Sequence, residues 1–225
     1  MQRGFQTTVT RPQTGIAVQT NSVIRNTYIL LSLTLLFSAV MAGVSMVTNA
    51  PPMGFGMLIG YFGLLYLTAF LRNSVWGIAA IFAFTGFMGY TLGPLLNMIM
   101  SSYTNGAQLV MTAFGLTGII FMGLSAYALT TRKDFSYMIG FLFAAGMLAF
   151  VASLVAVFLH IPMLYLGMCA LFVLIASGMI LFQTSQIIHG GERNYIMATI
   201  SLYVSIYNLF VSLLQLLALF AGRRD

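Results

Sequence analysis

Apolar residues run along this chain in long blocks, and charged residues interrupt them at few places. Between Arg25 and Arg72 lie 46 uncharged residues, and between Arg72 and Arg132 lie 59. Asp134 and Glu192 enclose 57, and Arg193 and Arg223 enclose 29. A helix needs about 20 mainly apolar residues to cross the hydrocarbon core of a bilayer. The first three blocks therefore each hold two helices and a hairpin, and the last holds one. Turn chemistry falls where the hairpins belong, at Asn49-Ala50-Pro51-Pro52, Ser101-Ser102-Tyr103-Thr104-Asn105-Gly106 and His160-Ile161-Pro162. The pattern predicts seven spans, over 27–48, 53–71, 75–99, 107–130, 137–159, 163–185 and 195–221.

Composition turns spans into a class. The chain is 60% hydrophobic and 5% charged, with a mean hydropathy of +0.98. Nine basic and three acidic side chains cannot cover a water-facing surface of 225 residues. A soluble enzyme, a nucleic-acid-binding module and a disordered chain are excluded on that ground. The net charge of +6 is no nucleic-acid footprint, because the basic residues are scattered rather than clustered. The expected fold is an all-α polytopic membrane protein. One seven-helix domain over 25–225 follows a flexible polar cytoplasmic tail over 1–24, and the surrounding partner is the lipid bilayer. That tail delays the first apolar run too far for a secretory signal, although Val40-Met41-Ala42 resembles a cleavage site loosely. Cys169 is the single cysteine, so neither an internal disulfide nor a multi-cysteine metal site is available.

Charge also sets an expected orientation. The tail and the loops holding Arg72, Arg132-Lys133-Asp134 and Glu192-Arg193 alternate with three uncharged hairpins. The positive-inside rule puts the charged segments in the cytoplasm. Seven spans then leave the N-terminus cytoplasmic and the C-terminus periplasmic, with Arg223 and Arg224 a mild exception.

Polar side chains at membrane depth need partners or water, so function concentrates at them. Ser201, Ser205, Asn208, Ser212 and Gln215 recur at spacings of 4, 3, 4 and 3, which is one face of the last helix. Tyr203 and Tyr207 occupy a different face. Such a stripe must turn towards other helices or water, which predicts that the last helix is central in the bundle. Interhelical hydrogen bonding alone would also account for it. In the third span, Gly89 and Gly93 form a small-xxx-small pair that permits close helix approach. Pro94 removes one backbone bond and predicts a kink, and Asn97 follows it. This group serves either packing or gating. His189 and Glu192 could touch one metal across Gly190-Gly191, but two ligands are a weak set. A Glu192–Arg193 ion pair is the simpler expectation. No nucleophile–base pair, Walker loop or dinucleotide fingerprint is present, so no catalysis, metal or cofactor is expected.

Several segments together resemble the Bax inhibitor-1 family, in particular its bacterial YccA branch. They include Arg25-Asn26-Thr27-Tyr28, the run Thr85-Gly86-Phe87-Met88-Gly89-Tyr90-Thr91-Leu92-Gly93-Pro94 and Ser125-Ala126-Tyr127-Ala128-Leu129-Thr130-Thr131-Arg132-Lys133-Asp134. The most specific is Ile187-Ile188-His189-Gly190-Gly191-Glu192-Arg193-Asn194-Tyr195, continuing through Ser201-Leu202-Tyr203-Val204-Ser205-Ile206-Tyr207-Asn208. The resemblance implies a seven-helix fold with the last helix at its centre. For the bacterial branch it implies modulation of the membrane-anchored AAA protease FtsH, with its HflK/HflC partners, in the bacterial inner membrane. The polar tail would be a segment that such an unfoldase could grip. For other members it implies a pH-sensitive calcium or proton leak gated by two aspartates on the last two helices. Those positions fall here on Gln183 and Ser205, neither of which can ionise.

Overall fold

A computed structural model describes residues 14–159 and 162–222. Seven helices follow one another, and no strand occurs among the described residues. They are α1 (Thr14–Val47), α2 (Phe55–Leu71), α3 (Trp76–Ser102), α4 (Gly106–Thr131), α5 (Met138–Leu159), α6 (Pro162–Ile188) and α7 (Tyr195–Ala221). All seven predicted spans are present. Six contain a stretch long and apolar enough to cross a membrane, whereas α2 is shorter, at 17 residues. At 1.5 Å per residue α2 is about 25 Å long, within reach of a hydrocarbon core of about 30 Å.

The start of the domain differs from the expectation. A tail is expected over 1–24, but α1 begins at Thr14, so residues 14–24 are helical. No proline lies between Pro12 and Pro51, and nothing in that stretch ends the helix before Thr48. Its 34 residues make a rod of about 51 Å, well beyond the bilayer core. The remainder of the tail, residues 1–13, lies outside the described residues, as do His160 in the third hairpin and Arg223, Arg224 and Asp225.

Large apolar side chains face outward all round the bundle. Phe70 is 77% exposed, Phe141 73% and Met111 72%, a surface that water would not tolerate and hydrocarbon tails accept. The interior is organised by α7, which packs, among the described residues, against every helix except α5. Buried Ile196, Ile200, Leu202, Leu209 and Leu214 on α7 join Ile81, Phe84 and Met88 of α3 and Ile180 of α6 in one core.

α1 packs along α3 more extensively than any other two helices pack, and glycine makes the approach possible. A Cβ on Gly89 would strike the Ser38 carbonyl oxygen and lie 2.7 Å from Ser38 Oγ. One on Gly93 would strike the Ser45 side chain, and one on Gly86 would meet the Phe37 ring. α3 runs on through Pro94 to Ser102 as one helix. Beyond it, Asn97 Nδ2 donates to the Met46 carbonyl (3.1 Å) and to Asn49 Oδ1 (3.4 Å), pinning the far end of α1. Gly89, Gly93 and Asn97 thus sit in the α1–α3 contact, with Pro94 between them in α3.

The charged loops meet at one end of the bundle. Asn194 caps α7, its Oδ1 accepting from the backbone N–H groups of Ile196 (3.0 Å) and Met197 (3.1 Å). Its amide nitrogen reaches the Arg72 carbonyl (2.9 Å) and Asn73 Oδ1 (3.1 Å) in the α2–α3 loop. His189 Nε2 donates to the Arg132 carbonyl (3.0 Å), and Ser185 Oγ accepts from Phe135 N (3.0 Å), so the α4–α5 loop joins them. The expected Glu192–Arg193 ion pair is absent among the described residues. Glu192 Oε1 instead accepts from Asn194 N (2.8 Å), and Arg193 Nε donates to the Gly190 carbonyl (3.2 Å). Local backbone groups compete well because only one long side chain must be ordered, whereas an exposed ion pair orders two for little gain. Asp134 accepts from Ser136 N (2.8 Å); the Ser136 hydroxyl and N–H, with His189 nearby, hold its carboxyl below the usual range. A lowered pKa stabilises above the ordinary carboxylate value and is lost as pH falls through the lowered one, so this turn is intact at neutral pH.

Candidate functional site: a polar-floored groove on the last helix

Helix geometry separates two faces of α7. At about 100° per residue, the five stripe positions fall within about 80° of one another, and Tyr203 and Tyr207 lie opposite them. The tyrosine face is buried against α1 and α3. Ser38 Oγ donates to the Tyr203 hydroxyl (2.6 Å), which donates to the Thr85 carbonyl (3.2 Å). Tyr207 shares a hydrogen bond with Thr91 Oγ1 (3.3 Å). Tyr203 is 1% exposed.

The stripe faces the other way, into a groove of about 910 Å³ between α2, α6 and α7. Ser201, Ser205, Asn208, Ser212 and Gln215 all line it, so the structure gathers every residue of the stripe in one place. Gln183 joins them from α6. The walls are apolar and aromatic, with Tyr61, Phe62 and Tyr66 from α2 and Phe172, Ile175 and Met179 from α6. α2 and α6 make no contact with each other among the described residues, so the groove stays open between them.

Partners are unevenly shared along the stripe. Ser205 Oγ donates to Gln183 Oε1 (3.0 Å), so these two side chains of α7 and α6 touch. Cys169 Sγ lies 3.7 Å from Gln215 Oε1 and donates to it. Ser201, Asn208 and Ser212 have no hydrogen-bond partner among the described residues. Asn208 is exposed although it sits midway along the central helix. Interhelical bonding therefore accounts for part of the stripe and leaves three polar groups facing the groove.

The groove's walls and the tyrosine contacts are not visible in the sequence. Nothing in the uniformly apolar α2 marks Tyr61, Phe62 and Tyr66, whereas the spacing of Tyr203 and Tyr207 away from the stripe signals a second polar face. Gly89, Gly93, Pro94 and Asn97 do not line the groove; Gly89, Gly93 and Asn97 meet α1 instead. His189 and Glu192 are committed to different backbone groups, and no three His, Cys, Asp or Glu side chains gather among the described residues.

Comparison with known proteins agrees with this architecture. The family model described as "Inhibitor of apoptosis-promoting Bax1" matches residues 20–222. An uncharacterized protein of Pseudomonas aeruginosa is 56% identical over 91% of this chain and 92% of its own length. The Escherichia coli K12 protein named "Modulator of FtsH protease YccA" is 50% identical over 92% of this chain and 93% of its own. Its counterpart in Escherichia coli O6:H1, named "Inner membrane protein YccA", matches to the same degree. With a family match over nearly its whole length and a bundle of apolar helices around α7, this chain belongs to the Bax inhibitor-1 family of integral membrane proteins.

Proposed function

We propose that this protein modulates the FtsH protease in the bacterial inner membrane, in association with FtsH and its HflK/HflC partners, and is not itself an enzyme. The observation that carries this reading is the 50% identity, over 92% of the chain, to a relative named as a modulator of FtsH protease. The site supports it in kind. A groove lined by uncharged hydrogen-bonding groups and aromatic walls suits recognition in the bilayer better than catalysis. Affinity-tagged protein purified from native membranes should carry FtsH with it, enriched at least about tenfold over an unrelated seven-helix protein. Recovery of FtsH no greater than in that control would overturn the proposal.

In this reading the N-terminus is cytoplasmic and the C-terminus periplasmic. Support comes from the three charged loops being hydrogen-bonded together at one end, where the positive-inside rule would place the cytoplasm. A reporter active only in the cytoplasm should give signal when fused to the N-terminus and none when fused to the C-terminus. Signal from both fusions would mean an even number of spans, six or eight.

A pH-gated leak is disfavoured by the contact at its expected gate. A shared proton needs two acids close enough to raise one pKa. Here the pair is Gln183 with Ser205, 3.0 Å apart and unable to titrate. Calcium flux through the protein in liposomes should therefore show no switch between about pH 6 and pH 8, where a strongly raised carboxylate would titrate. A switch in the unmodified protein would reinstate the channel.

A further inference from the structure

The groove is open, the stripe along its floor spans about two thirds of the thickness of the membrane core, and much of that floor is unpaired. From Ser201 to Gln215 the stripe rises about 21 Å, most of a hydrocarbon core of about 30 Å. Its 4-3-4-3 spacing averages 3.5 residues, the seam along which two helices pack side by side with a left-handed crossing. Ser201, Ser205 and Ser212 are small, so a second backbone can come close. No helix of this chain occupies that seam among the described residues.

The polar groups on it still need partners. Ser212 is only 7% exposed, borders the groove and has no hydrogen bond among the described residues. Asn208 offers a whole amide at mid-membrane depth, exposed and likewise unpaired. An acyl chain brings neither donor nor acceptor, and leaving such groups in hydrocarbon is costly. No charge lines the groove, so nothing there draws an ion in. A second copy of the chain cannot pair its own stripe with this one, because α2 and α6 wall both stripes in.

We propose that the groove between α2, α6 and α7 docks one membrane-anchoring helix of FtsH, held on the Ser201–Gln215 stripe by uncharged hydrogen bonds. This rests on the function proposed above and deepens it. The docked helix carries serine, threonine, asparagine or glutamine at matching spacing, and the α2 and α6 side chains close over its flanks.

The test uses the full-length protein in native membranes that contain FtsH. A photoreactive benzophenone amino acid replaces Phe62 in one version, an aromatic side chain of the α2 wall that takes no part in the hydrogen bonds of the stripe. In another it replaces Leu174, which is 68% exposed on the face of α6 turned away from the groove. Irradiation should give an adduct recognised by an FtsH antibody at position 62, at least about tenfold above that at 174. In parallel, Asn208→Leu should lower co-purified FtsH about tenfold with an unchanged melting temperature, since this side chain is exposed and makes no hydrogen bond among the described residues. Suppose that FtsH co-purifies normally but position 62 links to lipid, to a second copy of the chain or to nothing. The groove proposal is then overturned and the modulator reading stands. If FtsH does not co-purify at all, both fall.

Discussion

Replacing Gly89 with valine should pull α1 off α3 and destabilise the bundle by about 3 kcal/mol or more, the upper end for forced overpacking. The added Cβ would meet the Ser38 carbonyl oxygen, which is backbone and cannot swing aside. α1 would have to retreat along its length, and Phe37 and Ser45 would lose their seats against Gly86 and Gly93. Thermal unfolding of purified protein in detergent measures the effect. Gly43→Ala is the matching control, because a Cβ added there would meet nothing within 4 Å. It should leave the melting temperature unchanged or raise it slightly, alanine being the better helix former. Equal behaviour of the two variants would mean that glycine at position 89 is not what lets these helices approach.

The second large effect is expected at Tyr203. This ring is fully enclosed, with an edge-on contact to Phe84 at a centroid distance of 6.0 Å. Its hydroxyl links α1 to α3 through Ser38 and the Thr85 carbonyl. Tyr203→Ala leaves a ring-sized cavity and two polar groups without their partner, at a cost of about 3–5 kcal/mol. Tyr203→Phe keeps the packing and removes only the link, which is worth about 1 kcal/mol. Unfolding of the two variants side by side separates ring from hydroxyl. If phenylalanine cost as much as alanine, the hydroxyl relay rather than the packing would be what holds α7 to α1 and α3.

These two sites show how differently the sequence exposes its own logic. Gly89, Gly93 and Asn97 are legible as a group, because small residues four apart and an amide one turn on have few uses inside a membrane helix. That they serve the α1–α3 seam is not legible, since a close-approach motif names no partner. The stripe on α7 is legible through its spacing, and it points to a central place for α7. Yet α7 is buried by its other faces, through Tyr203, Leu209 and their neighbours, while the stripe itself looks into an open groove. The helix is central, for a different reason. The start of α1 lies well before the point where polarity gives way to apolar residues. A helix leaving the bilayer into water can stay helical when no proline or turn residue stops it.

By itself the sequence determined the number of helices, their order and the loops that hold charge. Charge is excluded from hydrocarbon so strongly that its positions mark three of the turns, and proline and Asn-Gly mark the uncharged hairpins. It also determined that neither Gln183 nor Ser205 can ionise, which is a matter of residue identity. Only the tertiary structure decided which face of each apolar helix meets protein and which meets lipid. Lipid tails are as apolar as leucine, so hydropathy has the same value on both faces and carries no information about neighbours. For that reason the gap between α2 and α6, and with it the groove that leaves Asn208 and Ser212 unpaired, exists only once the seven helices are packed.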